Sequence, residues 1–312
     1  MSEKHKVNEE KVEKSMKEKI LSGLKEFFII LVLFLIINNF VIASFLVPTG
    51  SMENEVLTGE MLFVNKFIYG GTSPLNLQQF DVFQIITGGA IRLPNVSFPW
   101  FRLPAIRDVR RGDVIVFVFP GNRDEVKPAD FQFYLKRCIG IPGDTIEIKN
   151  RVVYVNGKKM PLPRNAKFEL DFTDPEEDKL KIFPKNSGWT KDNYGPLVIP
   201  RKGMVIALNR NNYDAWETFI KREGHQIQLN GETITIDGKP ANQYVVEHDY
   251  YFGMGDNRNN SLDSRYWGFI PRENIVGSPL IVYWSWNTNI PWSDFFTRIA
   301  SIRWGRIGAI IK

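Results

Sequence analysis

The side chains that most often carry catalysis are scarce in this chain. It has three histidines, His5, His225 and His248, and one cysteine, Cys138. His5 lies in a polar tail. No pair of histidines has metal-ligand spacing and no H-E-x-x-H occurs, which argues against a zinc hydrolase. His225 and His248 sit in no recognisable motif for a serine hydrolase with a histidine base. A single cysteine rules out a disulfide framework. Hydroxyls and amines are left, and four runs concentrate them: VPTGSMENEVLTGEMLFVNKFIYG (47–70), RRGDVIVF (110–117), YLKRCIGIPGD (134–144) and GMGDNRNNSLDSRYWGFIP (253–271). Taken singly, a Gly-Ser pair reads as a loop and a Lys-Arg pair as solvated surface.

In this order, and downstream of a long apolar segment, the four runs resemble the bacterial type I signal peptidases (leader peptidases), a family of serine proteases with a Ser–Lys dyad. The most specific piece is GDNRNNSLDSRYWG, 255–268. The resemblance extends from the apolar segment to about Gly277 and covers 160–243 poorly. It implies a membrane-bound serine endopeptidase that removes N-terminal signal peptides from secreted preproteins at small-x-small sites. Carried over residue by residue, it makes Ser51 the nucleophile and Lys136 the general base. Thr49 becomes the hydroxyl that helps the Ser51 N–H form an oxyanion hole. Ser261 orients the lysine, Asp263 and Arg265 form a supporting pair, and Asp256 and Arg258 hold their turn. Phe45, Val47, Met52, Val56, Tyr134 and Leu135 match shallow pocket positions for the small side chains at −1 and −3, a role compatible with core packing. The resemblance implies no cofactor and no metal.

Such a dyad has a definite physical requirement. A serine hydroxyl becomes a useful nucleophile only when a base takes its proton, and a lysine is a base only when neutral. Its ordinary pKa of roughly 10.4 must fall by about 2–3 units, at a cost of about 3–4 kcal/mol. Desolvation supplies such a shift, and Tyr134, Leu135 and Ile139 flank Lys136 as apolar neighbours.

Two departures from the family pattern stand out. The usual Ser-Met-x-Pro-Thr-Leu box here reads Ser51-Met52-Glu53-Asn54-Glu55-Val56: the proline is absent and two acids are present. Lys221, in FIKRE, also fits a base position, but it lacks the Gly-x-Pro-Gly-Asp continuation that follows Lys136.

The elements that must position these residues begin with a membrane anchor. Residues 2–26 carry seven Lys and six Glu, and 27–47 form an uncharged run of 21 residues, long enough to cross a hydrocarbon core of about 30 Å. The run is longer than the apolar part of a cleavable leader, and Ala43-Ser44-Phe45 is a poor cleavage site. The preceding lysines predict a cytoplasmic N-terminus, which makes a single-pass protein of the inner (cytoplasmic) membrane with its catalytic domain on the outer, periplasmic face. The expected partners are signal peptides of exported preproteins, the lipid bilayer and the translocation machinery. A net charge of +5 with no basic stripe gives no reason to expect nucleic acid.

Beyond the anchor the expectation is mainly β: an exported antiparallel domain, barrel or sandwich, with an inserted second β domain. Strands are predicted at Val114–Phe119, Thr145–Ile148, Val152–Val155, Met204–Leu208, Gln226–Leu229, Thr233–Ile236 and Ile275–Trp284. The segment 143–159 aligns without gaps to 224–240, RRGDVIVF resembles RKGMVIAL (201–208), and YLKRCIG resembles FIKREG (219–224), so an internal repeat of β units is expected. This divides the chain into a tail (1–26), an anchor (27–47), a catalytic domain (48–159 and 244–312) and an inserted region (160–243), with 160–200 as a linker or large loop. The aromatic and basic segment Phe295–Lys312 either lies on a membrane surface or packs as a terminal strand or helix. The rival readings are weaker. A self-cleaving repressor-type protease would need a DNA-binding module. A sortase would need His and Arg beside Cys138, and a lipoprotein peptidase several spans. A decayed tethered β domain would have lost one of Ser51, Lys136 and Ser261.

Overall fold

The computed structural model describes residues 2–73, 99–129, 131–168 and 181–312. Helix α1 runs from Ser2 to Phe40, and its stretch Glu18–Phe40 is long and apolar enough to cross a membrane, exposed along most of its length and buried only at Asn39. The apolar run expected as one anchor, 27–47, is therefore divided. Its last part is strand β1, Ile42–Leu46. The reason is periodicity: Ala43, Phe45 and Val47 alternate inward and are buried in the core, as strand residues do.

The main sheet has seven strands in the order β1-β2-β16-β3-β4-β14-β15. Besides β1 these are β2 (Glu60–Asn65), β3 (Val114–Val118), β4 (Phe133–Gly140), β14 (Tyr250–Met254), β15 (Ile270–Pro271) and the long β16 (Ile275–Ser285). Neighbouring strands are antiparallel throughout. A four-stranded sheet follows in the order β7-β6-β5-β8, from β5 (Thr145–Lys149), β6 (Val152–Val155), β7 (Lys158–Lys159) and β8 (Tyr194–Val198). Two smaller sheets complete the β structure: β9 (Val205–Ala207) with β13 (Gln243–Val245), and the meander β10 (Ile227–Asn230), β11 (Thr233–Ile236) and β12 (Lys239–Pro240).

These pairings shift the expected domain boundary. Because β5 pairs with β8 along Thr145↔Val198, Ile146↔Leu197 and Ile148↔Tyr194, residues 145–159 sit in one sheet with the region read as inserted. The four-stranded sheet thus draws its strands from both sides of position 160. The stretch 160–200 is likewise more than a loop, since it contains β8, and Lys167 forms a parallel bridge to Asn257. Part of it, 169–180, lies outside the described residues. One apolar cluster ties the layers together, joining Ile146, Ile199, Ile206, Ile220 and Ile234 to Phe252 and Met254 of β14. Two further clusters cover the main sheet: Val47, Val56, Leu62, Val116 and Val282 belong to one, and Tyr69, Ile115, Phe117 and Trp267 to the other.

The repeat of 143–159 in 224–240 is a repeat of structure. Asn156-Gly157 and Asp237-Gly238 both take positive φ, at 53° and 73° and at 49° and 77°. Two-residue hairpin loops with both central residues in this region match the twist of the strands they join. In each unit the turn's side chain reaches the start of the first strand: Asn156 Oδ1 accepts from Thr145 N, which opens β5, at 2.9 Å, and Asp237 Oδ1 from Gln226 N, the residue before β10, at 2.9 Å. The match of YLKRCIG to FIKREG does not hold. The first is β4, whereas Phe219–Arg222 ends the helix Tyr213–Arg222, whose apolar residues return at helical spacing.

The C-terminal segment packs and also presents apolar surface. Ile311 is buried and Ile310 bridges to Ile281, while Phe296 and Trp304 are 85% and 70% exposed. Arg298 lies between the rings of Trp286 and Trp292, 4.6 and 4.0 Å from their centroids.

Gly238 has open space around its missing side chain, so substitution there is opposed by backbone conformation alone. Gly238→Ala should cost about 1–2 kcal/mol. In a domain of this size that lowers the thermal midpoint by about 3–6 °C, as read by differential scanning fluorimetry in detergent.

Candidate active site

Lys136 stands in the middle of β4, opposite Ile115 of β3, with β14 on its other side. Its Nζ donates to Ser51 Oγ at 2.7 Å. The side chain is only 3% exposed, and burial pushes its pKa down from 10.5 to about 8; Asp263 pulls it back up, and Arg265 offsets that pull. Room for the side chain comes from Gly253, where an added Cβ would press on Lys136 Cβ at 3.1 Å and Ile270 Cδ1 at 3.0 Å. Tyr134, two residues earlier on the same face, stacks on Phe119 at 4.3 Å between centroids and holds its ring 5.4 Å from Lys136 Nζ.

Ser51 lies in the turn between β1 and β2. The turn is clamped at its neck, where Val47 N donates to Glu60 O and Gly59 N to Val47 O, both at 2.9 Å. The Gly255-Asp256-Asn257 turn holds it from the side. Asn257 N donates to Ser51 O at 3.1 Å and Asn257 Nδ2 to Gly50 O at 3.3 Å. A side chain at Gly255 would strike both Ser51 O and the Ser261 hydroxyl, so this glycine lets the three groups meet. Among the described residues the Ser51 N–H finds no acceptor. The Ser261 Oγ is buried and likewise without a partner. Thr49 is exposed.

Asp263 is fully buried and caps the short helix Ser264–Trp267. Burial would raise its pKa, but the charge and hydrogen bonds of Arg265, the Gly255 N–H and the charge of Lys136 together hold it below the usual carboxylate range. Arg265 donates to both Asp263 oxygens, from Nε at 2.9 Å and from Nη2 at 2.8 Å. Arg137, next to Lys136 but on the other face of β4, forms a second buried fork onto Asp256, at 2.8 and 2.6 Å. Of the six expected pocket residues, Phe45, Val47, Met52, Val56 and Leu135 share one apolar cluster, whereas Tyr134 packs in the neighbouring one with Phe117 and Trp267. Lys221 is elsewhere, on its helix, paired with Glu217 at 2.6 Å.

Sequence reasoning missed what the two acids of the nucleophile turn do. Glu53 pairs with Lys167 at 2.9 Å. Buried Glu55 accepts from Asn165 Nδ2 and from Lys312 N, at 2.5 and 2.7 Å. Glu60, fully buried, accepts from Arg306 at 2.6 and 3.0 Å. The same 165–167 segment hydrogen-bonds along the other side of the Asp256 turn, through Lys167 N to Asp256 O and Arg258 N to Lys167 O, both at 2.8 Å. The available signal was the pair of carboxylates flanking Asn54, which stands where a proline was expected.

A hydroxyl bonded to a buried lysine whose pKa is depressed meets the physical requirement of a Ser–Lys dyad. Comparison with known proteins supplies the family. A family model described as Signal peptidase, peptidase S26, matches residues 20–284, and the chain belongs to that family of serine endopeptidases. Its relatives include the signal peptidase I of Aquifex aeolicus, 30% identical over 274 residues, covering 83% of this chain and 82% of that one. That of Pseudomonas aeruginosa is 29% identical, covering 88% and 76%, and that of Helicobacter pylori strain J99 is 28% identical, covering 82% and 79%. Among solved structures, a signal peptidase I from Enterococcus faecalis matches 56% of this chain and 98% of its own at 21% identity, with a TM-score of 0.26.

The depressed pKa of Lys136 makes a prediction for stability. A lysine whose folded pKa lies below its unfolded one destabilises the fold wherever it is charged in both states, and that cost fades as pH rises from about 8 to 10.5. Lys136→Met should therefore stabilise the protein at pH 7 by about 3 kcal/mol, and the gain should vanish near pH 10.5 in thermal melts across that range. Glu55→Ala should leave Asn165 and the Lys312 N–H without their acceptor and loosen the Ser51 turn. The expected result is a fall in kcat of about tenfold with KM little changed, measured by steady-state cleavage.

Proposed function

We propose that this protein removes signal peptides from exported preproteins, with Ser51 as nucleophile and Lys136 as general base. The observation that carries this reading is the 2.7 Å contact between Lys136 Nζ and Ser51 Oγ at a site closed by Gly253, Gly255 and Asp263. Neutral Lys136 takes the hydroxyl proton as Ser51 Oγ attacks the scissile carbonyl. The unengaged Ser51 N–H, assisted by Thr49, donates to the oxygen on which charge develops. One such donor is worth about 3 kcal/mol in the transition state. Lys136 then passes its proton to the departing amine, and water attacks the acyl-enzyme with the lysine again as base. Ser261, a buried hydroxyl beside Ser51, takes up the lysine as it turns between these tasks.

The pocket for small residues at −1 and −3 is assigned to the wall made by Phe45, Val47, Met52, Val56, Tyr134 and Leu135, with the substrate extended along it. The preprotein and the lipid bilayer are the proposed partners, together with the translocation machinery. The exposed apolar length of α1 supports the bilayer, and the exposed Phe296 and Trp304 suit its interface. The N-terminus is placed in the cytoplasm and the β domain on the outer, periplasmic face of the inner membrane.

The test is cleavage of a preprotein with an A-x-A site in detergent. Ser51→Ala and Lys136→Ala should lose activity by at least about a thousandfold, while Lys221→Ala cuts as wild type does. The rate should climb about tenfold per pH unit up to a limb near pH 8, because only the neutral lysine is a base. Activity that survives Lys136→Ala would sink the assignment.

A further inference from the structure

A buried arginine close to Ser51 stands without a direct ion pair among the described residues. Arg258, in the turn that holds Ser51, is 3% exposed. Its Nε is buried without a hydrogen-bond partner, and its guanidinium enters no ion pair among the described residues. The neighbouring buried arginines differ: Arg137 has Asp256 and Arg265 has Asp263. Burial first, then repulsion from Arg265, lowers the Arg258 pKa to about 10, and the charges of Asp263 and Asp256 oppose that fall. A buried charge without a direct partner is costly, so buried charges are normally paired or bind something.

Arg258 lines a cavity of about 360 Å³. Arg151 and Lys159 line it too; the rest of the wall is apolar, formed by Val153, Met160, Leu162 and Phe168 among others, and among the described residues no carboxylate lines it. Arg151 is bound to Asp192 on the rim. A second cavity on the other flank of the Lys159–Leu162 segment repeats this chemistry with Arg111, Arg137 and Lys158. Three cations and an apolar wall fit a ligand that joins a carboxylate to an apolar neighbour.

We propose that this cavity is a subsite for an acidic side chain of the substrate polypeptide, in the segment flanking the cleaved bond. The inference rests on the reading of Ser51 as the nucleophile acting on a preprotein. The placement argues for the substrate as the source of the anion. Asn257, next to Arg258, donates its N–H to Ser51 O, so cavity and nucleophile share one rigid turn. An extended substrate advances about 3.3 Å per residue, which brings residues a few positions from the bond within reach of Arg258. The bond formed is a charge-assisted, forked carboxylate–guanidinium contact, which is directional as well as strong.

The test uses the full chain in detergent and a set of preproteins identical except for one Glu or Gln at successive positions on both sides of the cleavage site. For wild type, one position should show kcat/KM about tenfold higher with Glu than with Gln. In Arg258→Gln and in Lys159→Gln that ratio should fall towards one. Being a ratio, it is insensitive to a general loss of active enzyme, and Lys159 at the surface guards against an Arg258 variant that folds poorly. Equal cleavage of Glu and Gln substrates at every position overturns the subsite while leaving the proteolytic reading intact. A preference that persists in both variants overturns it as well. So does a flat profile accompanied by loss of binding to phosphatidylglycerol vesicles in Lys159→Gln, which would assign the cations to a lipid phosphate. A wild type that cuts none of the substrates removes the proteolytic reading and the subsite with it.

Discussion

The site depends on keeping an ammonium group out of water. Burial lowers the Lys136 pKa to about 8, and every neighbour must avoid undoing that. The nearest threat is Asp263, whose charge favours protonated lysine. Removing the carboxylate would leave the Gly255 N–H unbonded and the Ser264 helix uncapped, so it is neutralised instead. Arg265 grips both of its oxygens, and the field that reaches Lys136 is that of a pair, with the two charges acting in opposite directions. The Asp263–Arg265 fork is thus part of the electrostatics of the base as well as of the scaffold.

On the proposed mechanism a buried base is useful only if the nucleophile is brought to it, and Ser51 sits on a turn. Turns drift, and a displacement of 1 Å at a reacting centre costs about a hundredfold in rate. The chain holds this one with carboxylates that point outward from the turn: Glu53 to Lys167, Glu55 to Asn165 and Lys312, Glu60 to Arg306. Each partner comes from a distant part of the sequence. The segment 165–167 and the C-terminal residues therefore serve the active site without approaching the reacting atoms.

Seven of the sixteen strands among the described residues, and the residues that meet at the candidate site, could be read from the sequence, for different reasons. All seven predicted strands exist, because Val and Ile runs bounded by Gly, Asn and Pro leave few other options. Ser51, Lys136 and Ser261 were named through their motifs, and periodicity would never have found them. β4 shows why. It buries Lys136 and Arg137 in succession, so its pattern is that of neither a half-exposed strand nor a loop. β1 was hidden inside an apolar run, since a membrane helix and a strand buried on one face both tolerate Ala-Ser-Phe-Leu-Val. FIKREG was misread because local similarity to YLKRCIG says nothing about whether Phe219 and Ile220 repeat with period two or pack on one side of a helix. Long-range ties such as Glu55 to Lys312 leave no local mark at all.

The division of the apolar run also changes how the height of the active site is set. With an anchor ending at Val47, Ser51 would hang four residues beyond the lipid on a flexible leash. In the structure the helix stops at Phe40, and the chain enters the sheet within two residues. Ser51 lies in the turn after β1, whose neck is closed by the Val47–Glu60 and Gly59–Val47 hydrogen bonds, and β1 is locked to β2 from Ile42↔Asn65 to Leu46↔Met61. A strand of five residues spans about 16 Å and does not bend freely. For a helix that crosses a bilayer, the distance from the lipid to the nucleophile is then a property of a rigid sheet rather than of a linker. On the proposed reading, a substrate held in the same membrane would meet Ser51 at one fixed depth, and the position of the cleaved bond along it would be selected by geometry before any pocket reads its side chains.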